Sequence, residues 1–198
     1  MTRYHEALAA TAASLQPEDA QAIRIQAGLT ATLIQLGRIQ EALLSARREL
    51  DLRERVHGPD HASTAGVHLT LGKLLDDLER PSDAIPHLAH AVRLWEAELG
   101  PAAPPLTEPL RHLGFALLRS GRPDNAVPHF ERALALSTSQ GASFSTLAEL
   151  HFGLAQALWP GDRARARAEA ARARALLASE DLHRDLQRAI ETWIHAHR

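Results

Sequence analysis

The chain has 198 residues, no cysteine, and a formal net charge of −2 with its twelve histidines neutral. The missing thiols exclude disulfides, thiolate metal sites and a cysteine nucleophile in this sequence, and the balanced charge argues against nucleic acid or an anionic membrane as partner. Hydrophobic residues make up 45% of the chain and aromatic residues only 4%. The apolar residues are mostly alanine and leucine, which favour closely packed helices. The sequence contains no run of about 18 apolar residues, so we predict no membrane span.

The first sixteen residues are rich in alanine and carry Glu6 inside what would be the apolar core of a signal peptide. We therefore predict a helix here rather than a secretion signal. The hexapeptide Arg3 to Leu8 is similar to Arg38 to Leu43. Residues 1–16 are accordingly predicted to form an N-terminal cap or the second helix of a partial repeat.

From residue 18 onward the sequence matches itself when shifted by 42 positions. The coinciding residues include Gly58-Pro59 with Gly100-Pro101, Leu29 with Leu71 and Leu113, and Ala42 with Ala84 and Ala126. A fourth copy, one residue shorter, continues through Leu154 and Ala170. A repeat of this length indicates stacked helical units that bury their apolar faces against one another.

Each copy reads as two helices, because apolar residues recur at helical spacing and turn residues separate the halves. Asp60 and Asp162 are predicted to cap the helices that follow them. The predicted boundaries are repeat 1 at 18–58, repeat 2 at 60–100, repeat 3 at 102–141, repeat 4 at 143–177, and a C-terminal capping helix at 180–197. The last of these has an apolar stripe of Leu182, Leu186, Ile190 and Ile194.

These recurring residues resemble the tetratricopeptide repeat family. The small residue at the family's eighth position is Thr30, Gly72, Gly114 and Ala155 in turn, and the twenty-seventh position holds Ala91 and Ala133 but Glu49 in the first copy. The longer unit with Gly-Pro-Asp-His after its second helix is similar to the kinesin-light-chain type. The resemblance implies an all-α, right-handed solenoid of helical hairpins with terminal capping helices. HEAT and armadillo repeats have similar periods, but the small-residue pattern fits them poorly.

The C-terminal part also resembles repeat regions attached to bacterial serine/threonine kinases. The similar segments are LAELHFGLAQALWPGDRARARAEAARARALL and, after it, ETWIHAHR. No kinase motif occurs in the sequence itself. A regulatory or sensing region of a larger bacterial signalling protein is therefore one alternative function, and a self-assembly module is another.

Catalytic, metal and nucleotide motifs are absent from the sequence. Gly66 to Lys73 has five residues between its glycines and no Ser or Thr after the lysine, so it is not a phosphate loop. His57 and His61 have a four-residue spacing, but Gly58-Pro59 interrupts the helix between them. Five arginines between Arg163 and Arg174 divide between two helix faces, which is typical of a solvated surface. We predict a non-enzymatic protein without cofactor or metal.

The family resemblance implies that first-helix residues line a concave groove. The residues predicted to contact a partner in the groove are Arg24, Leu69, Lys73, Arg111, Phe115, Arg119, Phe152, Gln156 and Trp159. The resemblance also places Ala27, Ala31 and Ile34 of the first copy on the groove face. Core packing would explain Leu69, Phe115, Phe152 and Trp159 equally well. Cations beside aromatic residues suit a peptide or partner helix with acidic and apolar side chains. We therefore predict a bacterial, cytoplasmic protein–protein interaction scaffold that binds neither nucleic acid nor membrane, and whose oligomeric state stays open.

Overall fold

The computed structural model describes residues 17–178 and 183–197. Within these ranges the chain is helical and contains no strand, which confirms the predicted all-α solenoid class. The helices are α1 (Pro17–Gln35), α2 (Ile39–His57), α3 (Ala65–Asp77), α4 (Pro81–Leu99), α5 (Thr107–Arg119), α6 (Pro123–Ser139), α7 (Phe144–Leu158), α8 (Arg163–Leu177) and α9 (Arg184–Ala196). The helix predicted for residues 1–16 lies outside the described residues.

The chain divides into two compact units, Met1–Glu98 and Leu99–Arg198. In the first unit, α1 packs on α2 and α2 packs on α3. In the second unit α5 to α8 pack in sequence, α5 also contacts α7, and α9 packs on α8. Across the described ranges, no helix is long and apolar enough to cross a membrane.

The turns between helices follow from the residues at their ends. Gly58 and Gly100 end α2 and α4 with φ values of 89° and 86°, in the region that favours glycine. Asp162 caps α8 as predicted, because its side chain accepts a hydrogen bond of 3.0 Å from the Arg165 backbone N–H.

The predicted capping role of Asp60 is wrong. The side chain of His61 instead accepts from the backbone N–H of Ser63 at 3.1 Å, at the start of a single 3-10 turn before α3. Asp60 lies 3.0 Å from the Arg93 guanidinium on α4, in an exposed ion pair.

Close helix approach explains the small residues of the repeat. A Cβ atom on Gly72 of α3 would lie 2.5 Å from the Leu88 side chain of α4. A Cβ atom on Gly114 of α5 would lie 2.8 Å from the Phe130 ring of α6. Leu88 and Phe130 are both fully buried. Each glycine therefore leaves the space that one large side chain of the next helix fills.

The last helix covers the apolar end of the α7–α8 hairpin. Ile190 of α9 is fully buried in a cluster with Ala173 and Leu177 of α8 and Phe152 of α7. Leu186, Trp193 and Ile194 pack around this cluster from the same helix. Burying this stripe removes apolar surface from water, which is the main term that holds α9 in place.

Candidate functional site

The three predicted groove residues of the first unit differ in exposure. Arg24 on α1 and Lys73 on α3 are exposed, whereas Leu69 on α3 is buried with 8% of its surface accessible. Between α1 and α3 lies a pocket of about 320 Å³. Its lining includes Ala27, Ala31 and Ile34, which the family resemblance also places on the groove face of α1, together with Thr70 of α3.

An ion pair lines this pocket from α2. The Nε and a terminal nitrogen of Arg53 lie 2.9 and 2.8 Å from Oε1 of Glu49. Only 6% of Glu49 is accessible. Glu49 is not among the predicted groove residues. Its departure from the alanine that other copies carry at this position is the sequence signal that points to it.

In the second unit, α5 carries three of the predicted residues. A terminal nitrogen of Arg111 lies 2.8 Å from Oε1 of Glu149 on α7, and its other terminal nitrogen lies 3.0 Å from Nε2 of His112. Arg119 is exposed, and its guanidinium carbon lies 5.9 Å from the ring centre of Phe115. The cationic side chains on α5 thus flank an aromatic ring, while Glu149, which the sequence analysis missed, engages one of them.

Phe115 packs against the core with part of its ring and exposes the rest at the surface. It is half-buried, and its ring meets the Phe130 ring edge-on with 4.9 Å between centres. A Cβ atom on Gly153 of α7 would lie 3.0 Å from Phe115 and 2.7 Å from Phe130. The glycine therefore lets α7 approach both rings closely.

Two predicted residues, Phe152 on α7 and Trp159 directly after it, contact the ring of Trp193 on α9. Phe152 is buried with 8% accessible, and its ring centre is 6.1 Å from that of Trp193. Trp159 is half-buried and meets Trp193 edge-on at 5.4 Å. Gln156 is half-buried on the same helix. Because Phe152 belongs to the core beneath α9, little of its surface is left for a ligand.

Four of the five arginines of α8 have a contact with a neighbouring side chain. The guanidinium carbons of Arg163 and Arg167 lie 5.2 and 5.4 Å from the ring centre of Trp159, which is within cation–π range. Arg165 pairs with Glu131 of α6, and Arg172 pairs with Glu169 at 2.7 Å. The two ion pairs offset the charges of Arg165 and Arg172, whereas the contacts with Trp159 leave those of Arg163 and Arg167 in place.

Comparisons with known proteins agree with the repeat pattern. A tetratricopeptide-repeat family model matches residues 23–63, which span most of α1 and all of α2. Protein KINESIN LIGHT CHAIN-RELATED 3 of Arabidopsis thaliana is 34% identical over 88 residues, covering 44% of this chain. The chain spans 14% of that relative's length. Residues 23–63 thus match a tetratricopeptide repeat, and an 88-residue stretch of the chain is similar to a kinesin-light-chain-related protein.

Solved structures with tetratricopeptide-like repeats share the fold of this chain. BtubC (BKLC) from P. vanneervenii superimposes with a TM-score of 0.71 at 18% identity, covering 81% of this chain and 65% of that chain. A kinesin-light-chain candidate of Podosopora anserina with nearly identical TPR-like repeats gives 0.68 at 19% identity, with 88% and 84% covered. YrrB, a TPR protein with an unusual peptide-binding site, gives 0.50 at 16% identity, with 83% and 89% covered.

Helices α3 and α4 also carry a histidine cluster whose members are not adjacent in the sequence. Nδ1 of His68 on α3 lies 3.0 Å from Nδ1 of His87 on α4, and the His68 ring stacks on His90 with 4.3 Å between centres. Burial, followed by the nearby His90, His87 and Arg93 charges, lowers the pKa of His68 to about 4. Among the residues that the structure describes, no group of three or more His, Asp and Glu side chains could hold a metal ion.

Proposed function

We propose that this tetratricopeptide array is a non-catalytic scaffold that binds a peptide or partner helix on α5 and α7 of its second unit. The observation that carries the proposal is the half-buried Phe115 between Arg111 and Arg119. The fold itself supports a protein–protein interaction role. The expected partner offers acidic side chains to the arginines and apolar side chains to the ring.

The Arg111–Glu149 contact refines how such a partner would bind. Glu149 lies on α7 and its side chain is 37% exposed, whereas that of Arg111 is 22% exposed. A ligand carboxylate would therefore compete with Glu149 for the Arg111 guanidinium, or contact Arg119, whose side chain is accessible. Selectivity for acidic peptides would come from this exchange of one carboxylate for another.

The remaining predicted residues enter the proposal unequally. Gln156 on α7 and Trp159, which directly follows α7, would extend the surface, while the buried Phe152 would pack beneath it. Arg24, Leu69 and Lys73 of the first unit remain predictions. We propose a cytoplasmic setting for this function, with which a cysteine-free sequence is compatible.

A peptide selection tests the proposal. Random displayed peptides would be selected on the wild-type chain, and the dissociation constant of the recovered peptides would be measured by fluorescence anisotropy. We expect the Arg111→Gln and Arg119→Gln variants each to weaken binding by about tenfold, or ~1.4 kcal/mol, because each removes a charge-assisted hydrogen bond. Circular dichroism would establish that the variants keep the wild-type helicity.

Arg174→Gln provides the matched control, since Arg174 is an exposed arginine on α8 outside the proposed surface. It should leave the dissociation constant unchanged within twofold. Recovery of no specific peptide, or equal binding by all three variants, would contradict the proposed function.

A further inference from the structure

Two departures from the repeat pattern coincide at the pocket of the first unit. Its α1 rim carries Ala27 and Ala31, where the 42-residue shift places Leu69 and Lys73 in the second copy. The pocket is also lined by Glu49, where the second copy has the fully buried Ala91. The pocket thus combines small rim residues with a charged pair at a position that is apolar in other copies.

The Glu49–Arg53 pair carries a desolvation cost that an alanine at position 49 would avoid. Burying two charges costs more than burying an alanine, and their mutual attraction offsets only part of that cost. The side chains of Glu49 and Arg53 are 8% and 23% exposed, so both are largely removed from water. A pair that adds little to stability and lines an open pocket is better explained by recognition of a ligand.

The hydrogen-bonding capacity of the pocket defines the chemistry of that ligand. Both contacts from Arg53 use the same Glu49 oxygen, Oε1. The hydroxyl of Thr70 donates to the carbonyl of Gly66 at 3.0 Å, so toward a ligand its oxygen acts as an acceptor. Thr30 is 4% accessible, and its hydroxyl is bonded to the Gln26 carbonyl and to Ser45 Oγ. The pocket therefore offers carboxylate and hydroxyl acceptors beside a guanidinium donor.

We infer that this pocket binds an amide group of a peptide, either a backbone amide or an Asn or Gln carboxamide. The amide N–H would donate to Oε2 of Glu49, and its C=O would accept from the Arg53 guanidinium. An isolated cation would meet Arg53 and an isolated anion would meet Glu49, whereas an amide complements both. Ala27, Ala31 and Gly66 leave room for it. This site lies wholly in the first unit and is additional to the surface proposed on the second unit.

N-methylacetamide is a minimal probe for this site, and methyl acetate is its counterpart without an N–H. Titration of each into the ¹⁵N-labelled chain would be followed by NMR. We expect N-methylacetamide to shift the backbone amide signals of Thr30, Ala31, Val67 and Thr70 saturably. Methyl acetate should cause shifts at least fivefold smaller at the same concentration, because it cannot donate to Glu49.

Two variants separate recognition from folding. Glu49→Ala installs the residue that the second and third copies carry, so the chain should fold, and the shifts should disappear. Ala27→Leu installs the second copy's rim residue, keeps the ion pair, and should also abolish the shifts by filling the pocket. Absence of wild-type shifts, equal shifts with methyl acetate, or shifts that persist in Glu49→Ala would overturn the inference.

The two proposals fail in distinguishable ways. Probe shifts that persist in Glu49→Ala, with selected peptides still weakened by Arg111→Gln, would overturn the amide site and leave the second-unit surface intact. Saturable N-methylacetamide shifts without any selected peptide would overturn the proposed function and leave an amide site. Loss of the probe shifts in Glu49→Ala and loss of peptide affinity in Arg111→Gln are the results we expect.

Discussion

At the scale of single residues, the turn after α3 contains a conformation that its side chain disfavours. Glu79 has a φ value of 57°, in the left-handed region, whereas the residues one repeat before and after it are Gly37 and Gly121 with φ values of 69° and 72°. The turn itself was predictable from its position in the repeat. The strain was not, because the sequence places an ordinary residue where two copies place glycine.

Replacing Glu79 with glycine should therefore stabilise the protein. A left-handed residue with a Cβ costs about 1–2 kcal/mol, and the greater freedom of glycine in the unfolded chain returns part of the gain. We expect Glu79→Gly to raise the free energy of unfolding by about 0.5–1 kcal/mol, measured by urea denaturation. Gly121→Ala, the reverse change at the equivalent turn, should lower it by a similar amount. A destabilised Glu79→Gly variant would show that the glutamate side chain contributes more than the strain costs.

Several residues of the candidate sites could not be found from local sequence. Arg111 and Glu149 are 38 positions apart, and His68 and His87 are 19 apart, so only the packing of helices brings them together. Phe152 was predicted as a groove residue, yet α9 packs over the cluster to which it belongs. Sequence spacing assigns a residue to a helix face, but which neighbouring helix covers that face is a tertiary property.

At the scale of helices, the glycine in the first helix of a repeat can set how closely the second helix approaches. Gly114 faces the buried ring of Phe130, while Gly28 on α1 has no atom within 4 Å of the position that a Cβ would occupy. The two glycines therefore occupy helices for different reasons. One is required by packing and the other only lowers helix propensity.

Alanine substitution should affect these two glycines in opposite directions. Gly114→Ala should destabilise the chain by about 1–3 kcal/mol, because its new methyl group overlaps the Phe130 ring. Gly28→Ala should stabilise it by about 0.5–1 kcal/mol, because alanine favours the helix. Thermal unfolding of both variants beside wild type measures the contrast. Equal effects of the two changes would mean that the α5–α6 contact relaxes without cost.

At the scale of the whole molecule, buried histidines make the stability of the fold depend on pH. Besides the strongly affected His68, burial lowers the pKa values of His57 and His87 in the first unit and of His129 in the second. An unfolded chain binds protons at these residues before the folded chain does. Stability therefore rises with pH across this range, and it falls as protons are added.

We expect the free energy of unfolding to fall as the pH drops from about 6.5, where unfolded histidine titrates, toward about 4, where His68 titrates in the folded chain. His68 alone accounts for a loss on the order of 3 kcal/mol. Denaturation curves measured across this interval would show it, and His68→Gln should flatten the dependence. Thr192→Ala, a change of a non-titrating residue on the exposed surface of α9, should leave the slope unchanged. An unchanged slope in His68→Gln would contradict the role given to this histidine.

The repeat explains how much of the architecture was predictable. A 42-residue period with recurring small residues specifies helical hairpins that stack, so the all-α class followed from the sequence alone. The division into Met1–Glu98 and Leu99–Arg198 did not, because the same period runs through both units. The candidate sites were partly predicted for the same reason: the period identifies equivalent positions, whereas Glu49, Ala27 and Ala31 matter because they differ from their equivalents.

The pairing of a small residue with a large one also constrains how such a chain can change by recombination. Gly72 belongs with Leu88 and Gly114 with Phe130, while the first copy carries Thr30 and Ala46 at the same two positions. A gene duplication or crossover that transfers a whole hairpin carries both members of a pair and preserves the fit. A crossover between the two helices would join Thr30 to a phenylalanine or a glycine to Ala46, producing a clash or a cavity. The hairpin, rather than the helix, is therefore the inheritable unit of this chain.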